Sequence, residues 1–86
     1  MKNVLIIDFE NTKRWWLNGQ LHRIDGPAIE YANSSRCWFQ NGKCHRLDGP
    51  AIEWANGDKE WYINGKRIKC NTQKEFKRLI KLESFW

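Results

Sequence analysis

Apolar and polar positions alternate in short runs along most of this chain. Ala28-Ile29-Glu30-Tyr31 has the period-2 pattern of a strand with one buried face. Cys37-Trp38-Phe39-Gln40 predicts a return strand, and Lys43-Cys44-His45-Arg46 runs back along it. Asn41-Gly42 lies between them, and this dipeptide suits a two-residue hairpin because both central residues of a type I′ turn need positive φ. Asn33-Ser34-Ser35 and Asp48-Gly49-Pro50 supply the other turns: Asp bonds its own backbone downstream, Gly accepts unusual φ/ψ, and Pro cannot extend a central strand. The opening Val4-Leu5-Ile6-Ile7-Asp8-Phe9 is rich in strand formers.

The pattern repeats. His22 to Asn33 and His45 to Asn56 are near-copies that differ only at Ile24/Leu47 and Tyr31/Trp54. The spacing of 23 recurs in Asn18-Gly19, Asn41-Gly42 and Asn64-Gly65, and in Trp15, Trp38 and Trp61. A fixed period in the twenties marks a repeat architecture, and Leu5-Ile6 aligns with Ala28-Ile29 and Ala51-Ile52 as a degenerate first unit. The expected organisation is one domain over residues 1–86, with repeats at approximately 5–27, 28–50 and 51–70.

The third unit lacks His-Arg-x-Asp-Gly-Pro and continues as Ile68-Lys69-Cys70-Asn71-Thr72-Gln73. Thr72 and Glu75 then stand at capping-box spacing, and Phe76, Leu79 and Ile80 fall on one helical face. A helix over approximately 72–84 is expected, covering the open end of the sheet, with Lys74, Lys77, Arg78 and Lys81 opposite its apolar side. The terminal Phe85-Trp86 either packs under the helix or stays free for a partner. The predicted fold class is therefore mainly β, an antiparallel sheet of stacked hairpin repeats with one C-terminal α-helix.

A two-residue Asn-Gly turn fixes the register, placing Gln40 opposite Lys43, Phe39 opposite Cys44 and Trp38 opposite His45. One face then carries Trp15 with His22, Trp38 with His45, and Trp61 with Ile68, and it is expected to be the core. A base would not be exchanged for isoleucine in the third copy, so His22 and His45 read as packing residues. Gly26, Pro27, Gly49 and Pro50 read as turn formers. The other face carries Trp16, Phe39 and Tyr62, and strict alternation adds Arg23, Arg46 and Lys69 beside them. Such a ladder suits stacking on bases or gripping acidic groups, or it is a second buried face.

Charge sharpens this picture. The net charge is +5, and residues 57–86 hold eight Lys/Arg against four Asp/Glu while the first 56 hold seven against six. The basic end makes Lys77, Arg78 and Lys81 candidate binding residues beside the ladder. Cys37, Cys44 and Cys70 form an odd set without paired close spacing, which points to free thiols in a reducing compartment and to no zinc site. No Gly-rich phosphate loop, nucleophile elbow or metalloprotease motif is present. Neither catalytic residues nor a cofactor are assigned, and no apolar run reaches the length of a membrane span.

The unit Trp-x-x-Asn-Gly followed by His-Arg-x-Asp-Gly-Pro-Ala resembles the MORN-like repeats of bacteriophage, giant-virus and bacterial proteins, over Trp15 to Gly65. The resemblance implies hairpins stacked into an elongated antiparallel sheet with a binding or scaffolding role. Small stand-alone members look like phage accessory proteins that block a host factor, acting in the host cytoplasm. The third copy and the lysine-rich helix depart from the family pattern. The leading expectation is a non-catalytic module that binds a bacterial protein. The alternatives are a nucleic-acid or nucleotide-binding protein and a structural homo-oligomer.

Overall fold

A computed structural model of the chain describes residues 3–82, with Leu82 described for its backbone alone; Glu83, Phe85 and Trp86 lie outside that range. Among the described residues the chain forms ten short strands and one helix. In order these are β1 (Val4–Ile7), β2 (Lys13–Leu17), β3 (Gln20–Leu21), β4 (Ile29–Glu30), β5 (Arg36–Cys37), β6 (Phe39–Gln40), β7 (Lys43–Cys44), β8 (Ile52–Glu53), β9 (Lys59–Ile63), β10 (Lys66–Ile68) and α1 (Gln73–Leu82). All pairings are antiparallel, and the main sheet runs β1-β2-β4-β5-β8-β9-β10.

Each unit uses one long return segment twice. Its first half pairs with the strand before it and, in the first two units, with the strand after it, while its second half closes the Asn-Gly hairpin: β2 with β3, β6 with β7, β9 with β10. The observed register is the expected one, with Phe39 opposite Cys44, Trp16 opposite Leu21 and Ile68 opposite Trp61. Asn18, Asn41 and Asn64 have φ of 53°, 54° and 49°, and Gly19, Gly42 and Gly65 follow at 77°, 79° and 83°. These are the paired positive angles of a type I′ turn, which only asparagine and glycine adopt cheaply.

The first unit keeps this backbone although its sequence has drifted. Asn11, Ser34 and Gly57 stand 23 residues apart and all have positive φ (63°, 78° and 96°). The same closing bonds recur around them: the amides of Asp8, Tyr31 and Trp54 donate to the carbonyls of Thr12, Ser35 and Asp58 at 3.1, 2.9 and 2.8 Å. Ile6 opposite Arg14 repeats Ile29 opposite Cys37 and Ile52 opposite Glu60.

Across the sheet, Lys13, Glu30, Arg36, Glu53 and Lys59 oppose one another in turn, so charges of alternating sign meet at every step. The core lies off this row. Trp61, Ile63, Ile68 and Phe76 form one buried cluster, with Leu79, Ile80 and Cys70 packed against it. Helix α1 therefore lies on the tryptophan face of the third unit. Thr72 Oγ1 accepts the Glu75 amide at 3.1 Å, and the Glu75 carboxylate accepts the Asn71 amide at 2.8 Å, a reciprocal cap that starts the helix. The Cα envelope is 41 × 32 × 17 Å.

Candidate binding surface

The repeated polar motif is bonded internally. In the second copy Arg46 Nε donates to Asp48 at 2.9 Å, and its Nη1 donates to the Pro50 carbonyl at 3.1 Å and to Glu53 at 3.3 Å. Its guanidinium also lies 3.8 Å from the centroid of the Trp38 ring. Arg23 repeats this with Asp25, Pro27, Glu30 and Trp15 at 3.1, 3.1, 3.4 and 3.9 Å. Planar guanidinium suits simultaneous stacking and forked donation, which lysine cannot match. A Cβ on Gly49 would sit 2.7 Å from Arg46 Cζ, and one on Gly26 would sit 3.0 Å from Arg23 Cζ. Glycine leaves the guanidinium its place there, and a Cβ would push it aside.

The histidines are equally occupied. His22 Nδ1 accepts the Asn41 amide at 2.9 Å, and His45 Nδ1 accepts the Asn64 amide at 3.0 Å. Each histidine therefore ties its unit to the Asn-Gly turn of the next one. The third unit has no following Asn-Gly turn, and Ile68 stands in the histidine's place, buried under α1. Burial pushes the His45 pKa down, which keeps the ring neutral and able to accept.

These contacts correct the expected position of Arg23 and Arg46. Alternation would put them beside Trp16, Phe39 and Tyr62, but β3 ends at Leu21 and β7 at Cys44. Beyond a strand end the period of two no longer governs, and the arginines fold over the opposite face onto Trp15 and Trp38. The expected core face is also divided. Trp61 is buried at 3 % exposure, whereas Trp15 and Trp38 are half-buried beneath arginine lids, and Ile29, Cys37 and Cys44 are buried on the other face. In the third unit Lys69 occupies the arginine position and is exposed, while Trp61 Nε1 donates to Gln73 of α1 at 2.7 Å. The helix replaces the arginine lid.

Trp16, Phe39 and Tyr62 do form a row, on the face away from α1, and all three are half-buried. At the end of that row Glu60 accepts from Trp54 Nε1 at 2.7 Å and Tyr62 Oη at 3.3 Å, with Arg67 at 3.8 Å. Burial, then the nearby Cys37 and Glu60, pushes the Cys44 thiol up to about 12. Cys37 and Cys70 are also raised, chiefly by burial, so all three free thiols stay protonated and poor nucleophiles at neutral pH. Among the described residues no group of three His, Cys, Asp or Glu is placed to hold a metal ion. No described helix is long and apolar enough to cross a membrane.

Of the expected candidates on α1, Lys77, Arg78 and Lys81 remain uncommitted, as Lys69 does after β10, and Lys74 joins the helix set. All four are exposed on α1 and hold no acidic partner among the described residues. Positions 74, 77, 78 and 81 are i, i+3, i+4 and i+7, one stripe of about 10 Å along a helix rising ~1.5 Å per residue. Phe76, Leu79 and Ile80 anchor the other side, so the stripe is held in a fixed orientation. Lys74 was legible from the same spacing. Gln73 as a clamp residue leaves no sign in the sequence, whereas the recurrence of Glu30 and Glu53 at the repeat spacing is a usable signal. No family model matches the chain, and no curated protein or solved structure matches it.

Proposed function

We propose that this protein is a non-catalytic binding module that docks the basic stripe of α1 against an acidic protein surface, as a small phage-type inhibitor or adaptor of a bacterial host protein would. The single observation that carries this is the contrast in cation use. Arg23 and Arg46 are committed to internal carboxylates and indoles, while Lys74, Lys77, Arg78 and Lys81 face solvent on a helix riveted to the sheet. A charged stripe on a docked helix steers encounter and selects a complementary partner with little backbone ordering left to do. The MORN-like resemblance supports a binding role in the host cytoplasm. The repeated His-Arg-x-Asp segment supports catalysis poorly, because each of its polar side chains has a structural partner.

Capture from a bacterial lysate tests the proposal. The immobilised chain is expected to retain a stoichiometric acidic protein that elutes with salt, and Lys77→Glu/Arg78→Glu is expected to lose it. Retention of the same protein by that variant would refute the stripe. Salt-sensitive capture of RNA or DNA in place of a protein would move the reading to nucleic acid, whose phosphates give a steep dependence on salt.

A further inference from the structure

We infer that the protein self-associates through the outer edge of β1, two copies pairing Val4–Ile7 antiparallel about a two-fold axis to make one continuous sheet. This inference is independent of the basic stripe. It begins with the repeat itself. β4 and β8, which correspond to β1 at the repeat spacing, are each paired on both edges: β4 between β2 and β5, β8 between β5 and β9. β1 is paired with β2 on the equivalent inner edge, and among the described residues nothing pairs with its outer edge. The fold thus offers at β1 the same docking edge that it fills twice internally.

The side chains there differ from those of β4 and β8 in a directed way. Glu30 and Glu53 each face a cation on either neighbouring strand, but the equivalent position in β1 is Ile7, which faces Lys13 inward. An incoming strand therefore meets no charge at this edge. Val4, Leu5, Ile6 and Ile7 are 56, 46, 53 and 52 % exposed, apolar on both faces of the sheet. The opposite end of the sheet is treated otherwise: β10 presents Lys66 and Arg67, the kind of charge that discourages edge pairing. One edge is guarded and the other is left open and aliphatic.

A second copy's β1 fits this edge better than an unrelated strand of alternating charge. Two-fold symmetry about an axis perpendicular to the sheet permits a register centred on Leu5 or one centred on Ile6. In the first, Leu5 meets Leu5 and Val4 meets Ile6; in the second, Ile6 meets Ile6 and Leu5 meets Ile7. Those pairs are aliphatic on whichever face they fall; the first register also sets Ile7 against Asn3 and the second sets Val4 against Asp8, so the Leu5-centred one keeps Val4–Ile7 clear of charge. Four residues make a small seam, so the dimer is a weak and concentration-dependent one, below the ~1,200 Å² of stable interfaces.

Light scattering and sedimentation on the full chain, from low micromolar to near-millimolar concentration, test this. The expected result is a reversible shift from monomer to dimer. Ile6→Glu, which keeps a favourable in-chain neighbour in Arg14, is expected to hold the protein monomeric at concentrations at least tenfold higher. Ile24→Glu, on an exposed apolar residue of a turn, is expected to leave the dimer intact. Hydrogen exchange on the unaltered protein gives an independent readout, with the Val4–Ile7 amides gaining protection as concentration rises. A monomer throughout the range, a dimer indifferent to Ile6→Glu, assembly beyond two chains, or β1 exchange that ignores concentration would each overturn the inference.

Discussion

At the scale of single residues, the repeated motif is a set of clamps. Arg46 donates to three acceptors and stacks on one indole, with Gly49 leaving room for it. Removing this arginine is expected to cost about 2 kcal/mol, combining the stack with charge-assisted bonds at a partly exposed site. Gly49→Ala is expected to cost about 1–3 kcal/mol by overpacking, and less when Arg46→Ala is already present. A double-mutant cycle by urea unfolding measures that coupling. Additive costs would show that the close approach does not matter. His45 gives a pH prediction. Its folded pKa lies below the ordinary 6.5, so its contribution is full above 6.5 and is lost as pH falls through 6.5 toward the lower folded value. Thermal midpoints are expected to drop between pH ~7.5 and ~5.5, and to drop less in His45→Gln, which keeps an acceptor without the titration.

At the scale of elements, the hairpins and the helix cap were readable because their chemistry is local. Asn-Gly sets a turn, the turn sets a register, and Thr72 with Glu75 sets a helix start. The degenerate first unit was readable from spacing, although its backbone match through Asn11 is visible only in φ. What failed was extrapolation past strand ends. Arg23 and Arg46 follow β3 and β7, where the chain turns, and their position is decided by Trp15, Trp38 and the carboxylates of the next unit. Tertiary partners of that kind leave no trace in a two-residue period. The burial of the tryptophan face was misjudged for the same reason, since a lid can be an arginine as well as a helix. In the third unit that lid is α1, and Phe76 is its anchor at 0 % exposure. Phe76→Ala is expected to cost about 3–5 kcal/mol, a large share of the stability of a domain this small, seen as a lower unfolding midpoint with loss of helical ellipticity. A loss of under 1 kcal/mol would mean that α1 is not docked on Trp61.

At the scale of the whole molecule, the sheet covers its tryptophans in two ways. The motif residues join one unit to the next, the arginines roof the first two tryptophans, and α1 roofs the third while turning its cations outward. The polar segment that catches the eye in the sequence is thereby the framework, and we propose as the binding surface the helix that replaces its third copy. One comparison tests this most directly: quantitative capture from a bacterial lysate by the parent chain, by Lys77→Glu/Arg78→Glu and by Arg46→Ala, each shown folded by circular dichroism. The helix variant is expected to keep the parent's stability within about 0.5 kcal/mol and to lose the partner, while Arg46→Ala is expected to be less stable and to retain it. A folded Arg46→Ala that loses the partner, with the helix variant still binding, would contradict this assignment.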